Sequence, residues 1–539
     1  MTLEQNTSDN AELAIAHAFQ SGNRADCVQL IGRCARTWLK AGEVGSVLRW
    51  TGRLSRTEIL DNELITTSYI ASMIFRRRFT EATAWLRDAE ASLATDSTLA
   101  RARLRTLRLM LAVLSENASD DALLEEVGEG PGDSYLSGAL IALQAYALLR
   151  KNRFDAAKRR ALRAKDLLSE HGDAYGASYA DVLVLFAQRL SGDLAGSAHT
   201  CEQLYATVEH GSRNPAWVNA ASAMAYLRYE QNRFPEARAL CLEVLPLLPI
   251  ASTPDNLASV YITLSRLESA AGNVHAAMRL LDYLPSAMED GRHARLVALA
   301  VYERVRLALT MGDIEYAHRI ANEASIDDLA HERAWIRPRT YEPGWERLGQ
   351  AHALLLLQER KLDACRVVLQ SLIKSASQAG CIVRSVSLEA LLAHCEWLAG
   401  NRAQAFAAVD RALARTRVVG FTRSVFDEAP ELAAIIRNAI AERKLLQPLP
   451  SGYVERWAAV LGSDDVCVRN ANAPAEALTE RERHVLTLVA AGMRNEEISD
   501  RLQIALSTTK WHLKNIFAKL GVACRTEALV RAKQLHLID

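Results

Sequence analysis

The sequence has no uninterrupted run of the ~18 apolar residues that a membrane-spanning helix needs. Its opening, Met1 to Asn10, is polar and acidic, unlike a signal peptide. A soluble, cytoplasmic chain with no membrane partner is expected. The nine cysteines (27, 34, 201, 241, 365, 381, 395, 467 and 524) never form C-x-x-C, which argues against a disulfide framework or a zinc site and for reduced core thiols. Net charge is also missing: Lys plus Arg equals Asp plus Glu at 64 each. Any affinity for a polyanion must therefore be local to one module. No alternating Val/Ile/Thr run of useful length occurs, so strands are not indicated. There is no G-x-x-x-x-G-K-[ST] loop, nor any Gly-Lys pair, to cradle a phosphate. Histidines 331, 352, 394, 484 and 512 lack metal spacing, and His394 and Cys395, adjacent on a helix, point apart. The expectation is no enzyme, no metal and no cofactor.

What is present is a repeat. A turn, an apolar residue and a small residue three positions later recur at Phe154/Ala157, Leu194/Ser197, Phe234/Ala237, Val274/Ala277 and Ile314/Ala317. The spacing is 40 residues at every step. Phe79/Ala82 precedes the series, while Leu362/Cys365 and Ala403/Phe406 follow it. A unit of this length reads as a pair of antiparallel helices whose apolar face only the next pair can cover, so the units stack into a solenoid.

The last 62 residues, Leu478 to Asp539, read differently. Thr479 and Glu482 form a capping box ahead of Val485, Leu488 and Val489, and Gly492 supplies the stop. Asn495 caps a second short helix with Ile498 and Leu502 inside. Gln503 to Ala505 is a turn, a third helix runs to about Leu520, and Thr526 opens a fourth with Ala528, Leu529 and Ala532 inside. On the third helix Thr509, Leu513, Ile516 and Leu520 share one face. From Arg501 to Thr526 there are five basic residues and no acidic one. Two short helices joined by a tight turn, with a basic solvent face on the second, suit the major groove of DNA.

The segment resembles the LuxR-type helix-turn-helix family through Leu478-Thr479, Arg481-Glu482, Gly492, Glu497-Ile498, Lys510, His512-Leu513, Asn515-Ile516, Lys519-Leu520-Gly521-Val522 and Arg525-Thr526. The resemblance implies a bacterial DNA-binding regulator in which Lys510, Trp511 and Lys514 face the groove, His512, Asn515 and Lys519 lie nearer the phosphates, and Thr508 is a further DNA-binding residue. It implies that Ala528, Leu529 and Ala532 on the fourth helix pair two subunits. Double-stranded DNA, RNA polymerase and a second copy of the chain are the implied partners. Ala505 departs from the family's usual capping serine, a loss of ~1 kcal/mol that Ser507 can offset by capping a later start. Trp511 is bulkier than the usual residue, so the family's operator preferences do not transfer.

The repeats resemble the tetratricopeptide-type (TPR-like) sensor region of MalT-like regulators through Ala41 to Leu54, Val419 to Leu432 and Leu449 to Val454. Those regulators carry an upstream ATPase, and without a phosphate-binding loop in this sequence ATP dependence is not carried over. The expected fold is all-α: a helical-hairpin solenoid over 1–461, a linker over 462–477 and a four-helix DNA-binding module over 478–539. The repeat step lengthens to 48 residues between Ile314 and Leu362. There Trp335, Arg337, Arg339, Tyr341 and Trp345 either line a pocket for an anionic or sugar-like effector or plug a neighbouring groove. A transcriptional activator whose array receives a ligand or protein signal is the main reading. The rival is a protein-interaction scaffold or anti-activator whose terminal helices serve dimerisation.

Overall fold

A computed structural model of the chain describes residues 3–93, 98–115, 134–208, 214–248, 253–286, 293–331, 335, 341–416, 420, 422–447, 480–491 and 493–502. In the final segment it further describes 508–510, 512–513, 515–516, 525, 528–529, 532 and 537. The 462–477 stretch, Arg337, Arg339, Trp511, Lys514 and Lys519 lie outside the described residues. So do Thr479, Gly492, Ala505 and Ser507. Among the described residues there is no strand. The fold is an all-α solenoid of TPR-like hairpins followed by a small helical module.

The 40-residue period has a backbone cause. Asn152, Gly192, Asn232, Gly272 and Gly312 all adopt positive φ, between 60° and 90°, each two residues before a helix begins. The left-handed residue ends the first helix of each hairpin, and the following amide closes the turn. Arg153 N–H donates to Leu148 O at 2.9 Å, and Asn273 N–H to Glu268 O at 2.8 Å. The apolar residues of the repeat, Phe154, Leu194, Phe234, Val274, Ile314 and Leu362, are the first residues of the second helices. The small residues three later sit where two backbones approach. Ala157, Ala237, Ala277, Ala317 and Cys365 are fully buried. Ser197 Oγ donates to Leu185 O across the hairpin at 3.0 Å. The last unit corrects the sequence register by one residue. Its helix starts at Arg402, and Ala405 takes the buried position while Ala403 is exposed.

First and second helices differ in how much of their surface is covered. In Pro254–Ala270 nearly every residue from Asn256 to Glu268 is buried, whereas in Val274–Ser286 buried and exposed positions alternate at helical spacing. A helix covered on all sides lies inside an assembly. The array also returns on itself. Asn152 Nδ2 donates to Tyr341 O at 3.4 Å across 189 residues of sequence. A Cβ on Gly42 would stand 2.4 Å from Pro215 Cγ, and one on Gly192 would stand 2.8 Å from Ile382 Cγ2.

The lengthened step between Ile314 and Leu362 accommodates an extra short helix, Ile326–His331. Trp335, Tyr341 and Trp345 are all buried in the main core. The Trp335 ring lies 5.9 Å from that of Trp345 and 6.3 Å from that of His352. A Cβ on Gly349 would come within 3.0 Å of Trp335, so the tryptophan fills a groove that glycine leaves open. The three described aromatics of the insertion thus plug a groove; they do not present a rim to an effector.

Two turn residues are at odds with their backbone, Arg77 with φ at 58° and Arg360. Arg360 holds φ at 60° on an exposed site where most other units have glycine or asparagine. Arg360→Gly is expected to stabilise the chain by about 0.5–1 kcal/mol, and Gly272→Ala to destabilise it by about 1 kcal/mol. Thermal melting of the two variants against the parent chain checks both signs.

Candidate nucleic-acid interface and the charged channel

The terminal module is built around Val485, Leu486 and Val489 of Glu480–Ala490, Ile498 of Asn495–Leu502, and Leu513, Ile516, Ala528 and Ala532. Asn495 is the first residue of the second helix, not its cap. The Glu497 carboxylate reaches back to accept the Arg494 amide at 2.6 Å, the acidic half of a capping box. Thr509, Leu513 and Ile516 are buried as the spacing requires, while Lys510 is exposed and Asn515 half-buried. That leaves a cation on the outer face of the third helix. Arg525, one of the residues that carry the family resemblance, has a structural part: its Nη2 donates to Val489 O at 3.1 Å and Met493 O at 2.7 Å. It thereby covers the carbonyl end of the first helix. The sequence offered no sign of this beyond the basic residue itself.

Two expectations change. Ala528 and Ala532 are fully buried in the module's own core, and Leu529 packs partly against it. A side chain enclosed by its own module cannot form a subunit contact, so the pairing role is withdrawn from both alanines. The start of the third helix is also covered. Thr508 is buried, with Oγ1 3.2 Å from His275 Nε2 on the repeat array. His512 lines the same crevice with Arg279 and Met311. Thr508 and His512, expected to face DNA, therefore face the second helix of a repeat.

The other concentration of chemistry is inside the array. The short helix Arg423–Glu428 lies against the first helices of several units, with Ser424 N–H donating to Glu230 at 3.0 Å. Tyr229 Oη donates to Asp427 at 2.6 Å across 198 residues. Its last residue, Glu428, is 2% exposed and meets three cations. One carboxylate oxygen accepts from Arg266 at 3.0 Å and stands 3.5 Å from Arg347. The other accepts from Arg384 at 3.1 Å and from Gln350 at 3.0 Å. Arg384 also forks onto Glu346 with two bonds of 3.0 Å, and Arg266 pairs with Glu303. Burial pushes the Glu428 carboxyl up, but Arg384, Arg347 and Arg266 outweigh it and hold the group well below the usual carboxylate range. The sequence marked Val419 to Leu432 as distinctive, yet gave no hint that its acid neutralises arginines from units far upstream.

Among the described residues, no group of His, Cys, Asp or Glu could hold a metal ion, and no helix is long and apolar enough to cross a membrane. The seven described cysteines are free.

Comparison with known proteins places two family models on the chain. Residues 130–442 match the MalT-like TPR region, and residues 476–532 match the bacterial regulatory proteins of the luxR family. The transcriptional regulatory protein LiaR of Bacillus subtilis is 46% identical over 112 residues, 21% of this chain and 50% of its own length. The HTH-type transcriptional regulator MalT of Vibrio campbellii is 23% identical over 331 residues, 56% of this chain and 34% of its own length. The chain thus spans half or less of these curated relatives. A solved chain of the APC/C hetero-tetramer Cut9–Hcn1 covers 97% of this chain and 96% of itself at 12% identity, with a TM-score of 0.33.

Removing the Glu428 charge leaves Arg266, Arg347 and Arg384 partly uncompensated in the interior. Glu428→Gln is expected to cost roughly 3–5 kcal/mol at neutral pH. The sign with pH follows from the depressed folded pKa. The stabilisation is fully present above the unfolded carboxylate range and declines as acid protonates the group. Urea denaturation from pH 7 to pH 3 should show the parent losing this advantage over the variant.

Proposed function

Because the chain belongs to the MalT-like TPR family, we propose that it is a DNA-binding transcriptional regulator whose helical array receives a signal. One observation carries the reading. Lys510 stands exposed beside the buried stripe of Thr509, Leu513 and Ile516, on the second element of a helix-turn-helix. The luxR-family match and the regulator relatives support it. In this reading Lys510, Trp511 and Lys514 read base edges, and Asn515 and Lys519 engage phosphates. The regulator activates transcription with RNA polymerase, binds DNA as a homodimer and works in the cytoplasm. Its units are 1–461 for sensing and 478–539 for DNA, joined by 462–477. Replacing Lys510 and Lys514 together by Ala is expected to weaken binding of duplex DNA at least tenfold and to flatten its salt dependence. Unaltered affinity with an unaltered salt slope would favour the scaffold reading instead.

The contact between Thr508 and His275 supports a closed state in which the array withholds the start of the recognition helix. DNA binding then competes with docking. His275→Ala is expected to tighten DNA binding by the full chain about threefold to tenfold, the worth of one hydrogen bond. Fluorescence anisotropy with labelled duplex measures it, and equal or weaker binding by the variant counts against a closed state.

A further inference from the structure

One hairpin of the array carries charge that its neighbours do not balance. Between Ser134–Arg150 and Phe154–Glu170 runs a groove of about 580 Å³. Its two walls differ. Ile141, Gln144 and Leu148, at helical spacing on the first helix, make a neutral wall. Arg159, Arg160 and Arg163 of the second helix, with Arg153 of the turn, make a cationic one. Among the described residues no acid lines the groove, and Asp155 and Asp166 of the same helix lie outside it.

The lysines of this helix are paired. Lys165 meets Asp181 at 2.8 Å and Lys158 lies 3.9 Å from Asp193, both acids of the following hairpin. Arg160 donates to the neutral amide oxygen of Gln144. Arg153, Arg159 and Arg163 are exposed and pair with no acid among the described residues. The corresponding arginines of two other units show what is missing. Arg78 and Arg233 immediately precede Phe79 and Phe234, and their Nε atoms donate to Glu81 and Glu236 at 2.7 Å. Arg153 immediately precedes Phe154, but the position three residues on is Ala156, which lines the groove.

Guanidinium groups gathered without an acid call for an anionic partner, and shape selects which. From Arg153 to Arg163 the cationic wall runs about 15 Å at the helical rise. One phosphate or carboxylate cannot span it. A DNA duplex is too broad to enter a crevice between helices packed about 10 Å apart. No aromatic among the described residues lines the groove to stack the bases of a single strand. An extended peptide fits: about five residues cover the length, and alternate side chains point to opposite walls.

We propose that this groove docks an acidic, extended segment of a partner protein. Carboxylates on alternate residues face the arginines, and small apolar residues between them face Ile141 and Leu148. The proposal names the kind of signal that the array receives and rests on that reading, but its binding step requires no DNA.

Fluorescence anisotropy of the full chain with the labelled peptide Glu-Ala-Glu-Leu-Glu-Ala-Glu, and with the same peptide carrying Gln for every Glu, tests it. The expected result is saturable one-to-one binding of the acidic peptide, about tenfold tighter than the neutral one and weakening as salt rises. Arg159→Gln combined with Arg163→Gln should weaken the acidic peptide about fivefold. Thermal melting should stay unchanged, since both side chains are exposed. Ala156→Glu, which supplies Arg153 with the acid that Arg78 and Arg233 have, should weaken it about twofold. Circular dichroism establishes that each variant is folded, and the double arginine variant decides the matter if Ala156→Glu is not. Absence of saturable binding, equal affinity for the neutral peptide, or binding unchanged by the double variant would each overturn the proposal. Duplex DNA binding on the same preparations should not respond to the double variant. A loss of duplex affinity as large as the loss of peptide affinity would make the wall a DNA contact and overturn the proposal, and duplex binding by the parent chain keeps a failed groove distinct from a failed DNA-binding reading.

Discussion

The structure depends on a carboxylate that lies far from its partners in sequence. Glu428 meets Arg266, Arg347 and Arg384, which reside on three different repeat units. Arg266 also pairs with Glu303 and Arg384 with Glu346, so Glu428 supplies the further charge that three arginines share in a low-dielectric interior, where an incompletely paired cation costs several kcal/mol. The first helices of these units can be covered on all sides only because the Arg423–Glu428 segment enters with the opposite charge. An open solenoid would solvate its inner face. This one neutralises part of it.

That constraint divides the interior into two chemistries. Around Glu428 the polar groups are paired in a continuous network through Glu346, Gln350 and Tyr302. Toward the N-terminal helices the wall turns apolar and its polar groups are sparse. The first arrangement favours a fixed geometry, because a satisfied buried network has few alternative pairings of similar energy. The second leaves a half-open apolar pocket.

Much of the scaffold was legible because it obeys local rules. The left-handed turn residues and the small residue after each turn recur every 40 positions, and backbone geometry explains both. The stripe Thr509, Leu513 and Ile516 was legible for the same reason, since helical spacing alone separates its faces. Local rules also mark where legibility ended. Ala403 and Phe406 were read one residue out of register because alanine is equally plausible at neighbouring positions, and the helix start at Arg402 decides the matter. No local pattern marks the inward-facing arginines, since their partner lies as many as 162 residues away. Ala528 and Ala532 were given a subunit-pairing role by family resemblance, although their spacing already placed them inside. The cover over Thr508 depends on a residue 233 positions earlier, which no local pattern encodes.

The contacts that bring distant units together have a further meaning. In a simple repeat array each unit touches only its neighbours, so it can melt piecemeal from either end. Here Asn152 reaches Tyr341, Gly42 abuts Pro215 and Tyr229 bonds Asp427, so early and late units share borders. Such closure raises the average sequence separation of the contacts, which slows folding. It also couples the ends of the array. Fraying at one terminus removes support from the middle, and the array gains the all-or-none character of a globular domain while keeping the sequence of a repeat.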